Sequence, residues 1–239
     1  SGASNLSGSG DTYTLDVQPA STGDISVQLP ANKVQDSTGN NNTASNTVTS
    51  HYEPTFLTHF GQTSEPSDAS DYDRITDVVT DDSTGAIYLF GYTGNLISAS
   101  QGYNDMFVIK LNSDGSYAWG TQIGSSSSDY CWAGAIDSSG NVYCAGYTYG
   151  DFDESNAGGA DVFVTKLSPD GSVLWKTHLG TNTGVNSNAS SQYIRGMDVD
   201  SSGNVYAGGR TYGDFGSYEG TAETNAGGSD VFVLKLDNN

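Results

Sequence analysis

The sequence is poor in several residue types that mark common classes of protein. Its 239 residues include two cysteines, five prolines and eight basic residues against 28 acidic ones, which gives a net charge of −20. Two cysteines are too few for a disulfide framework, and so acidic a chain repels nucleic acid and anionic membranes. Its apolar runs are far shorter than the roughly 18–20 residues of a membrane-spanning helix. We therefore expect no nucleic-acid partner and no membrane insertion.

Glycine and tyrosine are abundant instead. Gly accounts for 31 residues and Tyr for 15, and an acidic disordered chain would lack so many aromatic residues. Short alternating apolar segments are separated by turns of Gly, Asn, Ser and Asp. This pattern is typical of antiparallel β structure. The sequence therefore predicts an all-β protein.

The pattern Asp-x-Phe-Val-x-Lys-Leu occurs three times, at residues 105–111, 161–167 and 230–236. A turn of the form Asp-x-x-Gly-x-x-Tyr precedes each copy, and the first two copies are followed by a segment that ends in Gly124 or Gly180. A pattern that recurs at intervals of 56 and 69 residues indicates an array of units that bury their apolar faces against one another. Each unit contains four predicted strands, which is the composition of a propeller blade.

Further motifs recur in the same order within these units. Gly-Tyr-Thr ends the second strand at residues 91–93 and 146–148, and an Asp-Gly turn precedes Trp119 and Trp175, which we expect to pack between units. Together the motifs resemble the bacterial β-propeller repeat family. The resemblance covers residues 55–237 and implies three four-stranded blades. It implies no particular activity, because the family is defined by its architecture. We assign residues 54–239 to this three-unit region.

Residues 1–53 have a different pattern. Short extended segments are predicted at Thr12–Val17, Asp24–Leu29 and Thr47–His51. The strand that leads into Pro30 and the Asp36–Asn40 turn resemble the C-terminal half of the immunoglobulin-like modules of surface adhesins. The resemblance implies a partial immunoglobulin-like β-sandwich ahead of the repeats.

We expect the repeat array to be incomplete at both of its ends. Residues 56–61 match the final strand of a unit, whereas the third unit reaches residue 239 without such a strand of its own. Three blades are also fewer than the usual four to eight. We expect neighbouring segments or subunits to supply missing strands by β-augmentation. An open arc, a small closed ring and a fragment of a longer array are the alternatives.

Oxygen-rich turns are candidate Ca2+ ligands. Carboxylate and amide oxygens occur at alternating or loop positions in two turns, as they do in calcium-binding loops. The candidate ligands are Asp198, Asp200 and Asn204 in the third unit and Asp137 and Asn141 in the second. The alternative is an Asx-type turn that closes a hairpin without any ion.

A repeated loop, Thr-Tyr-Gly-Asp-Phe at residues 148–152 and 211–215, is the candidate binding surface. Loops displayed on a rigid scaffold commonly carry function, and the tyrosines could stack on sugars or on a partner. The candidate residues are Tyr149, Asp151, Phe152, Tyr212, Asp214 and Phe215. The alternative is a loop packed by its own aromatic side chains.

Asn5, Asn41 and Asn188 lie in glycosylation sequons. Cys131 and Cys144 flank one predicted hairpin. Strict alternation places their side chains on opposite faces unless a bulge intervenes, so we expect two buried thiols.

These features favour a non-catalytic structural or adhesive module of a larger extracellular or cell-surface protein, one that self-associates or contacts other segments of that protein. The sequence offers no Ser/His/Asp set, paired acid motif or phosphate-binding loop. A lectin-like, glycan-binding propeller with or without Ca2+ is the main alternative. An enzyme is a third possibility, since residues 170–175 also resemble the blades of quinone-dependent dehydrogenases, although three units do not supply the complete ring that such enzymes need.

Overall fold

The computed structural model describes residues 2–9, 12–18, 23–28, 31–32, 35, 38–41, 47–52, 58, 60, 73–153, 155–180, 191–218, 221–223 and 225–238. The regular structure within these ranges consists of β-strands, with no helix. None of the described residues therefore belongs to a helix that is long and apolar enough to cross a membrane. The chain divides into two compact units, Ser1–Leu57 and Thr58–Asn239.

The first unit contains two separate antiparallel hairpins. Strand β1 (Gly2–Ser9) pairs with β2 (Thr12–Gln18), and β3 (Gly23–Val27) pairs with β4 (Val48–Tyr52). The sequence did not indicate β1, because its Gly- and Ser-rich segment lacks apolar alternation. The immunoglobulin-like assignment of residues 1–53 stays a prediction.

The second unit contains three antiparallel sheets in which consecutive strands are neighbours. The first sheet comprises β5 (Arg74–Thr80), β6 (Ile87–Thr93), β7 (Asp105–Leu111) and β8 (Tyr117–Ile123). The second comprises β9 (Asp129–Ile136), β10 (Val142–Thr148), β11 (Asp161–Leu167) and β12 (Val173–Leu179). The third comprises β13 (Gln192–Val199), β14 (Val205–Thr211) and, after a small hairpin of β15 (Gly216–Tyr218) and β16 (Thr221–Glu223), β17 (Asp230–Leu236). The prediction of an all-β repeat region is confirmed.

Neighbouring sheets bury one another's faces. Met106 and Val108 of β7 share one apolar cluster with Cys144 of the second sheet, whereas Val162 and Val164 of β11 join the cluster that continues into the third sheet. Because side chains alternate across a strand, the second sheet contributes to both clusters. Each fully buried Val or Met stabilises the fold by roughly 1.5–3 kcal/mol relative to its exposed state.

The tryptophan at the end of the first sheet links it to the second. Trp119 packs against the first apolar cluster, and its indole N–H donates a hydrogen bond of 3.0 Å to the Pro169 carbonyl in the second sheet. The prediction that Trp119 packs between units is confirmed.

The aspartate that begins the third strand is held inside the fold in the first two sheets. Asp105 and Asp161 are fully buried, and their Oδ2 atoms accept backbone N–H groups from the residues four positions earlier, Gln101 and Ala157. Burial raises the pKa of Asp161. The Gly that ends the fourth strand lies directly against the carboxylate, since a Cβ on Gly124 would come within 2.0 Å of Asp105 Oδ1. This contact explains why the aspartate and the glycine recur together.

The first strand of each sheet contains a β-bulge at the same position of the repeat. The pairing register skips Thr76 in β5, Trp132 in β9 and Arg195 in β13. Strand β9 packs beside both β5 and β13. A bulge redirects the side chain of its extra residue, so three redirected side chains lie on three adjacent strands.

The bulge in β9 also decides the state of the cysteines. Cys131 and Cys144 form a buried disulfide, with their Cα atoms 6.0 Å apart. The prediction of two thiols on opposite faces is therefore wrong. The extra residue Trp132 shifts Cys131 by one position and turns it to the face of Cys144.

Replacing Gly124 by alanine should lower the free energy of unfolding by about 1–3 kcal/mol, the usual range for an overpacked site, because the new Cβ meets the Asp105 carboxylate. Gly196→Ala is the matched control, since a Cβ there meets no atom within 4 Å, and we expect a change within about 0.5 kcal/mol. Urea denaturation measures both variants. Equal losses would contradict the role of the carboxylate contact.

Reducing the disulfide should lower the free energy of unfolding by about 2–4 kcal/mol, because the unfolded chain gains freedom when the cross-link opens. Denaturation with and without a reductant measures the change. The variant Cys131→Ser/Cys144→Ser is the control, and its stability should not respond to the reductant. A native chain that is equally stable in both conditions would show that the cross-link adds nothing.

Candidate functional site

The aspartates of the hairpin turns accept hydrogen bonds from within their own turns. Asp137 Oδ1 accepts the backbone N–H groups of Ser139 and Asn141, both at 2.9 Å. Its Oδ2 accepts the Asn141 amide at 2.8 Å and the Tyr143 hydroxyl at 2.9 Å. Asp200 receives the equivalent four hydrogen bonds in the third unit. Both oxygens of each carboxylate therefore serve an Asx-type turn.

The first unit has the same turn with one more residue. Asp81, rather than the Asp82 suggested by the sequence pattern, accepts the hydroxyls of Ser83 and Thr84 at 2.6 Å each. These hydrogen bonds lower the pKa of Asp81 to about 2. At Asp137, burial alone would raise the pKa, but the hydrogen bonds from Asn141 and Tyr143 outweigh it and hold the pKa below its usual value.

The geometry of the candidate calcium ligands is that of these turns. Asn141 and Asn204 direct their amide N–H groups at the neighbouring carboxylates. Asp198 is exposed on β13, and its Oδ1 accepts the N–H of Val199. Within the described ranges there is no group of three or more His, Cys, Asp or Glu side chains that could hold a metal ion. Calcium binding stays a prediction.

The tyrosines of the two repeated loops meet on either side of Tyr193. The hydroxyls of Tyr149 and Tyr193 lie 3.5 Å apart, and the rings of Tyr193 and Tyr212 lie 6.4 Å apart. Tyr149 is 43% exposed, and partial burial raises its pKa. The two loops therefore share one aromatic surface.

The phenylalanines of the same loops pack inward. Phe152 is 2% exposed and stacks on Phe163 with 4.4 Å between ring centroids. Phe215 lies edge-on to Phe232 at 4.9 Å. Phe152 therefore belongs to the core, which agrees with a loop packed by its own aromatic residues at this position.

The acidic residues of the loops fold the loops back on themselves. Asp151 Oδ1 accepts the backbone N–H of Asn156 at 2.8 Å. Asp214 Oδ1 accepts the N–H of Asn225 at 2.5 Å. These bonds fix the loops that carry the tyrosines, and a direct role for either carboxylate in ligand binding stays a prediction.

The predicted glycosylation sites are only partly described. Asn5 lies within β1. Asn41 is exposed, and its Oδ1 accepts the Gln35 amide at 2.8 Å. Asn188 lies outside the described residues. Glycosylation stays a prediction at all three positions.

The aromatic surface extends across all three sheets, with linked ring centroids 4.7–6.4 Å apart. We call it the arginine–aromatic cluster. It consists of Tyr92, Tyr130, Trp132, Tyr147, Tyr149, Tyr193 and Tyr212 together with Arg74, Arg195 and Arg210. Only Tyr149 and Tyr212 were candidates from the sequence.

The cluster contains every arginine of the chain. Arg74 and Arg195 lie 6.0 and 4.9 Å from the centroid of the same Trp132 ring. Arg210 lies 5.1 Å from the ring of Tyr193. All three side chains are exposed, and Lys235–Asp237 is the single ion pair within the described part of the chain. The guanidinium groups therefore meet rings rather than carboxylates.

Two segments of the second unit match a known family. Each complete sheet is a four-stranded antiparallel meander that packs face to face on the next. Residues 118–153 and 174–216 match the family described as a beta-propeller repeat. The match supports the repeat family predicted from the sequence, and we call the sheets blades below. A comparison with curated proteins returned no match.

Contacts between blades recur at equivalent positions. The Thr121 hydroxyl on the last strand of the first blade donates to the Gly171 carbonyl of the second at 2.7 Å. The Thr58 hydroxyl donates to the Gly115 carbonyl of the first blade at 3.0 Å. Thr58 and Thr121 share a repeat position, as do Gly115 and Gly171. Thr58 thus contacts the first blade as the fourth strand of a preceding blade would.

The third blade presents an open edge and an uncovered face. Strand β17 pairs with β14, and no other described strand pairs with it. Val231 and Val233 are 90% and 81% exposed, whereas Val162 and Val164, at the same repeat positions, are 1% exposed. The uncovered face is therefore the one that the next blade would bury.

Replacing Asp137 by asparagine should lower the free energy of unfolding by about 1 kcal/mol at pH 7, a value discounted for partial exposure. The new amide would direct an N–H group at donors that now face a carboxylate. Because the folded-state pKa of Asp137 is lowered, the stability gained from its charge is complete above pH 3.8 and is lost as the pH falls through the folded-state pKa. Urea denaturation across this pH range measures the effect.

Asp198→Asn is the matched control, since Asp198 accepts only the N–H of the adjacent Val199, and we expect little change. Both variants are measured with and without CaCl2. A calcium-dependent rise in the melting temperature of the native chain that Asp198→Asn removes would favour the calcium site over the simple turn.

Proposed function

We propose that this chain is a non-catalytic structural or adhesive module of an extracellular surface protein or filament, in which neighbouring segments or subunits complete the blades. Two observations together carry the proposal. The β17 edge has no partner strand among the described residues, and a segment with the sequence of a fourth strand precedes the first blade in the chain. Residues 56–61 have the sequence of a fourth strand, and Thr58 makes a fourth-strand contact.

The two features are complementary in chemistry. Strand β17 offers a backbone edge that no other described strand pairs with, and such an edge is a template for β-augmentation. Val231 and Val233 offer an apolar face of the kind that other blades bury. A heterologous contact of this sort repeats head to tail and produces a filament unless it closes into a ring.

The disulfide supports an extracellular location, because disulfides persist in oxidising compartments. Cys131 and Cys144 lie in the second blade, at the centre of the repeat region. The strongly negative charge favours solubility in any compartment and does not bear on location.

Self-association of the chain should be visible as a mass above the 24.9 kDa of one copy, which rises with concentration in light scattering. The variant Val231→Lys/Val233→Lys should return it to a monomer, because two charges would enter the apolar interface. Leu174→Lys is the matched control, since Leu174 is also an exposed apolar residue but lies on β12, the fourth strand of a complete blade.

A synthetic peptide of residues 55–62 should bind the native chain and compete with self-association, whereas a scrambled peptide should not. Calorimetry measures the binding. A chain that is monomeric at every concentration and ignores the peptide would contradict the proposal.

Glycan binding is the second candidate function. It is favoured by the continuous aromatic surface that joins Tyr149, Tyr193 and Tyr212 across two blades. A glycan array that stays blank both with and without Ca2+ would count against it.

A further inference from the structure

We propose that the arginine–aromatic cluster binds carboxylated sugars, that is, oligosaccharides containing uronic acids. The proposal rests on the second candidate function and names its ligand class. It depends on Trp132, Arg74 and Arg195, which lie outside the loops that the sequence singled out.

The placement of the arginines is the first step. The chain has 28 acidic residues, yet among the described residues no carboxylate forms an ion pair with any of the three arginines. Arg74 from the first blade and Arg195 from the third approach one ring, Trp132 of the second. Two like charges around one indole repel each other, and a bound anion would relieve that repulsion.

The geometry of the first strand of each blade is the second step. Trp132 and Arg195 are both extra residues of β-bulges at the same repeat position. Bulges commonly redirect side chains next to binding sites. The side chains that the bulges redirect are thus the ones that bring an aromatic face and a guanidinium group together across a blade junction.

The chemistry of the side chains is the third step. A guanidinium group over a ring is held by cation–π attraction, and its planar N–H donors match a carboxylate. The exposed ring of Tyr149 offers an apolar face on which the C–H face of a pyranose can pack, beside the Trp132 ring that the two guanidinium groups share. A uronic acid carries both features in one residue, whereas a neutral sugar lacks the charge and a simple anion lacks the apolar face.

The test measures binding of a galacturonic acid tetrasaccharide to the whole chain by calorimetry. Its methyl ester, which keeps the ring and removes the charge, should bind roughly tenfold or more weakly, as expected for the loss of a hydrogen bond to a charged group. Arg195→Gln should weaken binding of the acidic tetrasaccharide by a similar factor. Lys235→Gln, which also removes an exposed positive charge but at the far end of β17, should leave binding unchanged. Circular dichroism and thermal melting check that both variants fold.

Each outcome decides a different point. Equal binding of acid and ester, or unchanged binding by Arg195→Gln, would overturn the proposal and leave glycan binding standing. Binding of a polyglutamate peptide as tight as that of the tetrasaccharide would overturn it in favour of an acidic protein partner. The absence of binding to any sugar would remove both the proposal and the glycan function. None of these results bears on blade completion, which is measured separately by mass.

Discussion

The repeat region depends on one constraint, which is that no blade can bury both of its faces by itself. Side chains of β11 alternate between two apolar clusters, one shared with the blade before it and one with the blade after it. All seven residues of β11 are buried as a result. The same sequence pattern in β17 leaves alternate residues exposed, because no described blade follows it. The difference between the two strands lies in their neighbours and not in their sequence.

The β-bulges in the first strand of each blade are local departures from regular pairing. The bulge in β9 has two separate consequences. In β9 the extra residue turns Cys131 toward Cys144, which allows the disulfide. It also places Trp132 between Arg74 and Arg195 of the neighbouring blades. A single backbone feature, repeated in each blade, therefore connects the covalent cross-link of the core with the candidate binding surface.

The sequence was sufficient where the structure is determined by short-range contacts within a repeat. The turn around Asp137 closes on itself, and the aspartate of the third strand meets the glycine of the fourth, so the motifs alone predict the strands that contain them. The bulge in β9 was not predicted, because that strand is apolar along most of its length and has no polar–apolar alternation in which a one-residue shift would show. The arginine–aromatic cluster was missed for a related reason. Its members are far apart in the chain, and only the packing of the first strands of adjacent blades, β5, β9 and β13, brings them together.

The positively charged side chains differ in whether they lie within one blade or between blades. Lys110 and Lys166 lie over the rings of Tyr88 and Tyr143 inside their own blades, so the arginines supply the cationic groups that three blades share. An anionic ligand approaches a chain of net charge −20, and the long-range field opposes its arrival. At physiological ionic strength that field is screened beyond about 8 Å, whereas contacts at van der Waals distance are screened far less. Recognition at the cluster must therefore come from contact with the rings and guanidinium groups rather than from electrostatic steering, and an array of such modules would gain affinity by presenting many clusters at once.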